Sequence, residues 1–381
     1  MATAWRHVLL VYAIGVLSAA QLGIVAPILP ALRTELGMSL TAAGAAVSII
    51  TLAGAVLGLP AGGWSQRLGH SRALLLGAAI MAASAAACAF AHDAQVLLIA
   101  RGAAGAGYLL AVVAGPSLMA VHAPPRYRPL ALALWGTFVP VGISLAAAVA
   151  GSLSTITSWR VTMVLDAGVL VLVCLVGWLF LPRTTAAAGG GHRANLVLLR
   201  AAAPISLAFF CFALSFLALA GLLPTYLIER RGLAPASAGR IAGIVTMAGI
   251  AGSLAAGLMM TRGWRPAWLI AIGLGASSLL AAFVIGSAAP LPLVVMGFAL
   301  SFALGGLVPA ASFASVPVIA GDLRAIGPVN GLLAQAGSLG SLAGPPVLAA
   351  WIDLADWPSA PWLLLTIAAA GSACALIGRR A

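Results

Sequence analysis

The sequence predicts an all-α polytopic membrane protein, with twelve transmembrane helices arranged as two pseudo-symmetric six-helix bundles. Three observations predict this. Of 381 residues, 63% are hydrophobic and only 7% charged, where an ordinary soluble domain carries about 25% charged residues. Apolar runs of about 20 residues, the length that crosses a bilayer as a helix, recur from end to end. The chain is also written twice. At a shift of 195 residues Gly37 meets Gly232, Gly44 meets Gly239, Gly62 meets Gly257, Arg67 meets Arg262 and Gly102 meets Gly297. Glu35 meets Glu229 at 194, and Trp159 meets Trp357 at 198.

The expected spans are 8–31, 41–64, 73–91, 95–120, 129–153, 160–181, 202–227, 236–260, 267–287, 291–318, 327–350 and 360–378. Residues 1–182 form the first six-helix half and 201–381 the second. Between them 183–200, with Gly189-Gly190-Gly191, reads as a cytoplasmic linker. The N-terminal run could pass for a cleavable signal, but the repeat needs it as the counterpart of the run near Ala201. Cys88, Cys174, Cys211 and Cys374 all fall in apolar runs without metal-ligand spacing and read as small buried hydrophobes.

The net charge is +12, and every basic residue other than histidine is arginine. The arginines sit in the gaps between apolar runs, so they mark topology rather than a nucleic-acid surface. With both termini cytoplasmic, Arg6, Arg67, Arg72, Arg126, Arg128, Arg183, Arg193, Arg200, Arg262, Arg265, Arg324, Arg379 and Arg380 face inward. Arg33, Arg160, Arg230, Arg231 and Arg240 face outward. The excess of the first group fixes that orientation, in a bacterial inner membrane.

The loop expected after span 2 reads Gly62-Gly63-Trp64-Ser65-Gln66-Arg67-Leu68-Gly69-His70-Ser71-Arg72. It resembles the signature loop of the major facilitator superfamily, G-x-L-x-D-R-x-G-R-R, with Gln66 in place of the usual aspartate and His70 in place of an arginine. Gly257 to Arg265 is a degenerate second copy. Arg101-Gly102-Ala103-Ala104-Gly105-Ala106-Gly107 is similar to the family's R-x-x-x-G-x-G stretch in span 4, and Trp159-Arg160 also fits the family. The resemblance implies two bundles around a central cavity that opens alternately to each side. The texture of the chain resembles the cyanate and nitroimidazole porter branch. Gly337 to Pro346 in span 11 looks like the G-x-x-x-G-P motif that family antiporters carry in span 5.

Two charged residues fall well inside spans, Arg101 and Asp166. Charge inside a membrane is expensive and usually functional. Both lie roughly 9 Å from the same end of their helices at 1.5 Å per residue. Arg101 either faces the cavity, with Tyr108 two turns along the same helix face, or pairs with Asp166; Asp166 can also bond Thr162 one turn earlier. At the shifted position the second half has Met296, so Arg101 is not part of a repeated scaffold. Arg101 and Asp166 are the coupling candidates.

The resemblance implies that spans 1, 4, 7 and 10 line the cavity, with parts of 2, 5, 8 and 11. Their polar and aromatic residues supply the substrate-binding candidates: Arg101, Tyr108, Gln21, Trp135, Phe209, Gln335 and Asn330. Phe209, Phe212 and Phe216 share one helix face. Gln21 and Gln335 lie deep in spans, where an amide needs a partner. The gating candidates are Gly62, Arg67, Gly69 and Arg72, whose arginines can bond helix carbonyl ends, and Gly344-Pro345, where small residues and proline allow close contact and bending.

No HExxH, GxSxG, P-loop or paired catalytic carboxylate is present, which argues against an enzyme or an ATP-driven pump. The expectation is a monomeric secondary transporter that takes a small, anionic solute, coupled to protons, with no cofactor and no metal. Its partners are the solute, protons and the lipid bilayer, and not nucleic acid. The competing expectation is a proton-driven exporter of lipophilic compounds.

Overall fold

The computed structural model describes residues 2–38, 40–153, 156–184, 196–322 and 325–377. All regular structure among them is helical. Eleven helical segments are long and apolar enough to span a membrane. The remaining expected span is α14, Ile326–Ala355, 30 residues long. Its glycines, serines and prolines and the amides of Asn330 and Gln335 make it less apolar than the rest. Most of the expected linker, 185–195, lies outside the described residues.

Three spans are built from two helices each. Span 1 is α1 (Ala2–Gly23) and α2 (Val25–Glu35). Spans 2, 3 and 4 are α3 (Leu40–Leu68), α4 (His70–Ala89) and α5 (Ala94–His122). Span 5 is α6 (Arg128–Trp135) and α7 (Phe138–Leu153), and span 6 is α8 (Trp159–Phe180). In the second half α9 (Leu196–Arg231), α10 (Pro235–Thr261) and α11 (Pro266–Gly286) are followed by a divided span 10, α12 (Leu291–Gly305) and α13 (Leu307–Ala320). After α14 comes α15 (Ala360–Ile377).

The three breaks have one cause. Each has a glycine four residues before a proline: Gly23–Pro27, Gly136–Pro140 and Gly305–Pro309. Proline donates no hydrogen bond to the carbonyl four residues back and crowds it, and glycine there removes the side-chain packing and backbone stiffness that hold a helix together. Pro60, Pro116, Pro224 and Pro317 have Val56, Val112, Ala220 and Phe313 at that place, and their helices run through.

The expected signature loop is not a loop. α3 continues to Leu68 and α4 starts at His70. Gly69 alone makes the turn, at φ 85°, a conformation that favours glycine. A Cβ there would also lie 2.6 Å from the Thr184 carbonyl oxygen. Thr184 Oγ1 accepts from the Ser71 N–H at 3.0 Å, and Ser71 Oγ donates to the Pro182 carbonyl at 2.7 Å. The first turn of α4 is thus capped by the chain leaving α8.

The fold divides into two compact units. The first comprises Met1–Pro125, Phe138–Asn195 and Ala320–Gln335; the second comprises Arg126–Thr137, Leu196–Ile319 and Ala336–Ala381. In the first unit, the start of α14 packs backbone to backbone on α3. A Cβ at Gly331 would sit 2.6 Å from the Gly58 carbonyl oxygen, and one at Gly62 would overlap the Gly327 carbonyl. In the second unit α14 meets α9 as tightly, where a Cβ at Gly340 or Gly344 would overlap the carbonyls of Phe210 and Leu214. Small residues allow such approach where lipid gives helices no hydrophobic reason to associate.

Each unit closes one of its ends with a tryptophan and a glutamate. Trp159 Nε1 donates to Glu35 at 2.6 Å, and Trp357 Nε1 donates to Glu229 at 2.9 Å. In the first unit Arg160 pairs with Glu35 at 2.7 Å and donates to the carbonyls of Ala89 and Ala91 at the end of α4. In the second unit Arg231 donates to the carbonyls of Ser287 and Ala289 beyond the end of α11.

Candidate functional site

The break in span 1 creates the first site. The last four carbonyls of a helix lack intrahelical donors, and those of α1 include Gln21. Arg101, 1% exposed on α5, donates from its terminal nitrogen to the Gln21 carbonyl at 2.8 Å. Its Nε donates to the Ala46 carbonyl of α3 at 3.1 Å. A guanidinium is well suited to this, since a cation at a helix C-terminus also meets the negative end of the helix dipole. The Gln21 side chain, itself 1% exposed, then donates from Nε2 to Asp166 Oδ2 on α8 at 2.5 Å.

Arg101, Gln21 and Asp166 therefore form one polar chain, buried at Arg101 and Gln21 and half-buried at Asp166. The expected pairing of Arg101 with Asp166 is indirect. It forms no direct ion pair with Asp166, and Gln21 stands between them, bound to Arg101 through its backbone and to Asp166 through its amide. The expected Asp166–Thr162 hydrogen bond is not formed, since Thr162 Oγ1 is buried without a partner. Tyr108 is 9% exposed two turns along α5.

Gln335 and Asn330 are brought onto the first unit by the start of α14. Gln335 Nε2 donates to the Ala55 carbonyl at 3.0 Å, and its Oε1 accepts from the Leu59 N–H at 3.3 Å. Those two groups are an i, i+4 pair of α3, one residue before Pro60. The Gln335 amide therefore bridges one turn of α3. Asn330 Nδ2 donates to Ser117 Oγ at 2.9 Å, and its Oδ1 is buried and unpartnered. Of the gating candidates, Gly62 lies in this seam. Gln66, the residue in place of the family aspartate, is 4% exposed and packs against Gly327 with neither amide atom bonded. Arg67 and Arg72 are exposed and bond none of the described residues.

The other candidates lie in the second unit. Trp135 is fully buried on α6. Phe209 joins Phe212 and Phe216 in a run of rings along α9, with centroids 5.9 and 5.3 Å apart. Phe313 meets Phe209 edge-on at 5.7 Å, and Phe302 meets Phe216 edge-on at 5.3 Å. Gly344 lies in the α14–α9 seam, with the next residue, Pro345, beside Gly221.

Sequence reasoning named Arg101, Gln21 and Asp166 but did not join them. The signal was present: Gly23 and Pro27 predict the break that leaves the Gln21 carbonyl open. Ser117, the partner of Asn330, was missed, and only the close α14–α3 packing reveals it.

Comparisons with known proteins agree with this architecture. The profile of the Major Facilitator Superfamily matches residues 11–325. A gallate transporter of Pseudomonas putida is 26% identical over 181 residues, 47% of this chain and 40% of the relative's length, so the likeness spans well under half of that protein. Among solved structures, the human organic anion transporter MFSD10 superposes with a TM-score of 0.78 at 20% identity, covering 98% of this chain and 99% of the other. The proton:xylose symporter XylE superposes at 0.80 with 15% identity, covering 100% and 96%. FucP in its outward conformation superposes at 0.76 with 18% identity, covering 99% of each. With the family profile spanning most of its length and two repeats of six spans, the chain belongs to the Major Facilitator Superfamily, a family of multi-pass membrane transporters.

Proposed function

We propose that this protein is a proton-coupled secondary transporter of a small organic anion, working by alternating access in the bacterial cytoplasmic membrane with both termini inside. The observation that carries the reading is the hydrogen-bonded Arg101–Gln21–Asp166 chain. A carboxylic acid that gains and loses a proton beside an amide is a means of tying proton movement to a change of helix packing. Gln21 transmits that change, because the group that bonds Asp166 belongs to the residue whose carbonyl holds Arg101. Arg101 then acts by holding the ends of α1 and α3 in register.

The gallate transporter and the organic anion transporter among the similar proteins support the anionic class, and the proton:xylose symporter supports coupling to protons. The division at 1–182, 183–200 and 201–381 remains the proposed unit of motion. Gly62, Gly69, Gly344 and Pro345 are its proposed gating positions, with Arg67 and Arg72 as exposed charges at the cytoplasmic end. Gln335 is the latch that replaces the missing signature aspartate: it can leave α3 at small cost, because the two backbone groups it bonds are an i, i+4 pair that satisfy each other in a helix.

The test is uptake into proteoliposomes of anionic and cationic tracers under an imposed pH gradient. The reading predicts accumulation of an organic anion when the outside is acidic. Transport of lipophilic cations alone would sink it and favour an exporter, for which the five-ring phenylalanine run is the supporting observation.

A further inference from the structure

We propose that the second unit carries a binding site for a hydroxylated aromatic ring where α9, α11 and α12 meet. The proposal deepens the organic-anion reading, on which the identity of the cargo rests but the existence of the site does not.

A cleft opens there between three phenyl rings, Phe212, Phe216 and Phe302. Phe302 is 3% exposed and fixed edge-on to Phe216, while Phe212 and Phe216 are half-buried and present part of their faces. Behind the rings lie four serines, Ser215, Ser277, Ser278 and Ser301. Ser301 Oγ donates to the Ser277 carbonyl at 2.7 Å, and Ser277 Oγ donates to the Leu274 carbonyl at 3.2 Å. Each donating hydroxyl keeps lone pairs that can accept. Ser215 Oγ is buried, at 6% residue exposure, and has no partner at all. An unpaired hydroxyl inside a membrane protein is costly, and a ligand that bonds it recovers that cost.

The size of the cleft limits what enters. Its interior is about 20 Å³, room for one water-sized group. A whole ring does not fit, but a phenolic hydroxyl does. The ring that bears it then lies against the open faces of Phe212 and Phe216, in the offset or edge-on contact that aromatic pairs prefer. No charged side chain lines the cleft, so a carboxylate on the far side of the ring stays outside it. A planar phenol fits this combination; an aliphatic ring loses the stacking, and an unsubstituted benzene ring leaves Ser215 unpaired.

The first half of the chain shows that the arrangement is not scaffold. At the 195-residue shift Ser215, Ser277, Ser278 and Ser301 correspond to Ala20, Ala82, Ala83 and Ala106. Phe212 and Phe302 correspond to Leu17 and Gly107. Rings and hydroxyls are both absent there.

Gly305 supplies the control. A Cβ on it would sit 3.7 Å from Phe212 and 3.8 Å from Ser277, ordinary contact distances, so the methyl of Gly305→Ala occupies the cleft without a clash. Binding of phenol, 4-hydroxybenzoate, benzoate and cyclohexanecarboxylate to the purified full chain is measured by calorimetry, and uptake of 4-hydroxybenzoate in proteoliposomes. Phenol and 4-hydroxybenzoate are expected to bind. Ser215→Ala weakens both about fivefold, one hydrogen bond's worth, and leaves benzoate unchanged. Gly305→Ala weakens both at least as much, and its melting temperature reports separately on the break at Gly305–Pro309. Wild-type phenol affinity in both variants, or no phenol binding by the wild type, overturns the site. If phenol binding behaves as stated and 4-hydroxybenzoate is not carried, the site stands and the organic-anion reading falls. If 4-hydroxybenzoate is carried equally well by wild type and both variants, the anion reading stands and the site falls.

Discussion

The two units agree at one end and disagree in the middle. At the end, Glu35 receives Trp159 and Glu229 receives Trp357. The carbonyls of Ala89 and Ala91 in the first unit, and of Ser287 and Ala289 in the second, are each held by an arginine, and the two pairs lie 198 residues apart. The arginines themselves are not repeats. Arg160 comes from α8 and Arg231 from α9, and the positions that would match them hold Pro358 and, near the end of α2, Leu36 and Gly37. What has been retained is a physical requirement, a cation at open carbonyls where a helix ends, and not a residue. In the middle the requirement itself differs. Where the first unit has Gln21 and Arg101, the second has Phe216 and Met296. One interior is organised by a hydrogen-bonded polar chain and the other by phenyl rings and serines. An end clasp serves any six-helix bundle. The interiors carry the separate tasks, which we assign as proton coupling and recognition of an aromatic ring.

The largest effect is expected from making the interiors alike. Arg101→Met copies the second half into the first. It removes two charge-assisted hydrogen bonds of about 1.5–3 kcal/mol each and leaves the Gln21 carbonyl unsatisfied. Coupled uptake is expected to fall roughly 100-fold or more, and melting of the purified protein to drop; wild-type uptake by Arg101→Met would erase the contrast.

The next effect comes from Gly62→Ala, because the new methyl would overlap the Gly327 carbonyl. Overpacking of this kind costs about 1–3 kcal/mol, read as slowed exchange and lower melting. Gly63→Ala, whose Cβ would meet nothing within 4 Å, is the neutral control. Gln335→Leu is expected to be milder, since Ala55 and Leu59 are an i, i+4 pair of α3 and satisfy each other within the helix. Its signature is altered accessibility of cysteines placed at the ends of α3 and α14, with little change in melting. Unaltered accessibility would remove Gln335 from gating.

The smallest effects belong to the shared ends. Trp159→Phe and Trp357→Phe each remove one hydrogen bond to a glutamate. Glu35 faces solvent, where such contacts contribute little. Both variants should transport as wild type, with small melting shifts, and Glu35→Gln should shift melting more than Glu229→Gln because it also loses Arg160. Loss of transport in either tryptophan variant would move function into the clasp.

Much of this was legible in the sequence. Periodic apolar runs and the repeat give the spans, and Gly23–Pro27, Gly136–Pro140 and Gly305–Pro309 mark where spans divide. The charge of Arg101 and Asp166 singles them out by what burial costs. At 62–72 a motif rich in glycine and charge reads as a loop, but seven of its residues continue α3 and only Gly69 turns. The partners of Gln335 and Asn330 were not legible. Both side chains bond groups more than two hundred residues away, and one of those partners is a backbone turn that any sequence would supply. The serine cleft was equally hidden, because isolated serines in apolar helices usually bond their own carbonyls.

The central claim is that the first unit's interior couples protons to solute movement. It is tested most directly by Asp166→Asn in proteoliposomes, comparing solute exchange at equal pH with accumulation driven by an inward proton gradient. We predict that exchange survives, since the amide still accepts from Gln21, and that gradient-driven accumulation is lost. Accumulation at the wild-type level in Asp166→Asn would contradict the account.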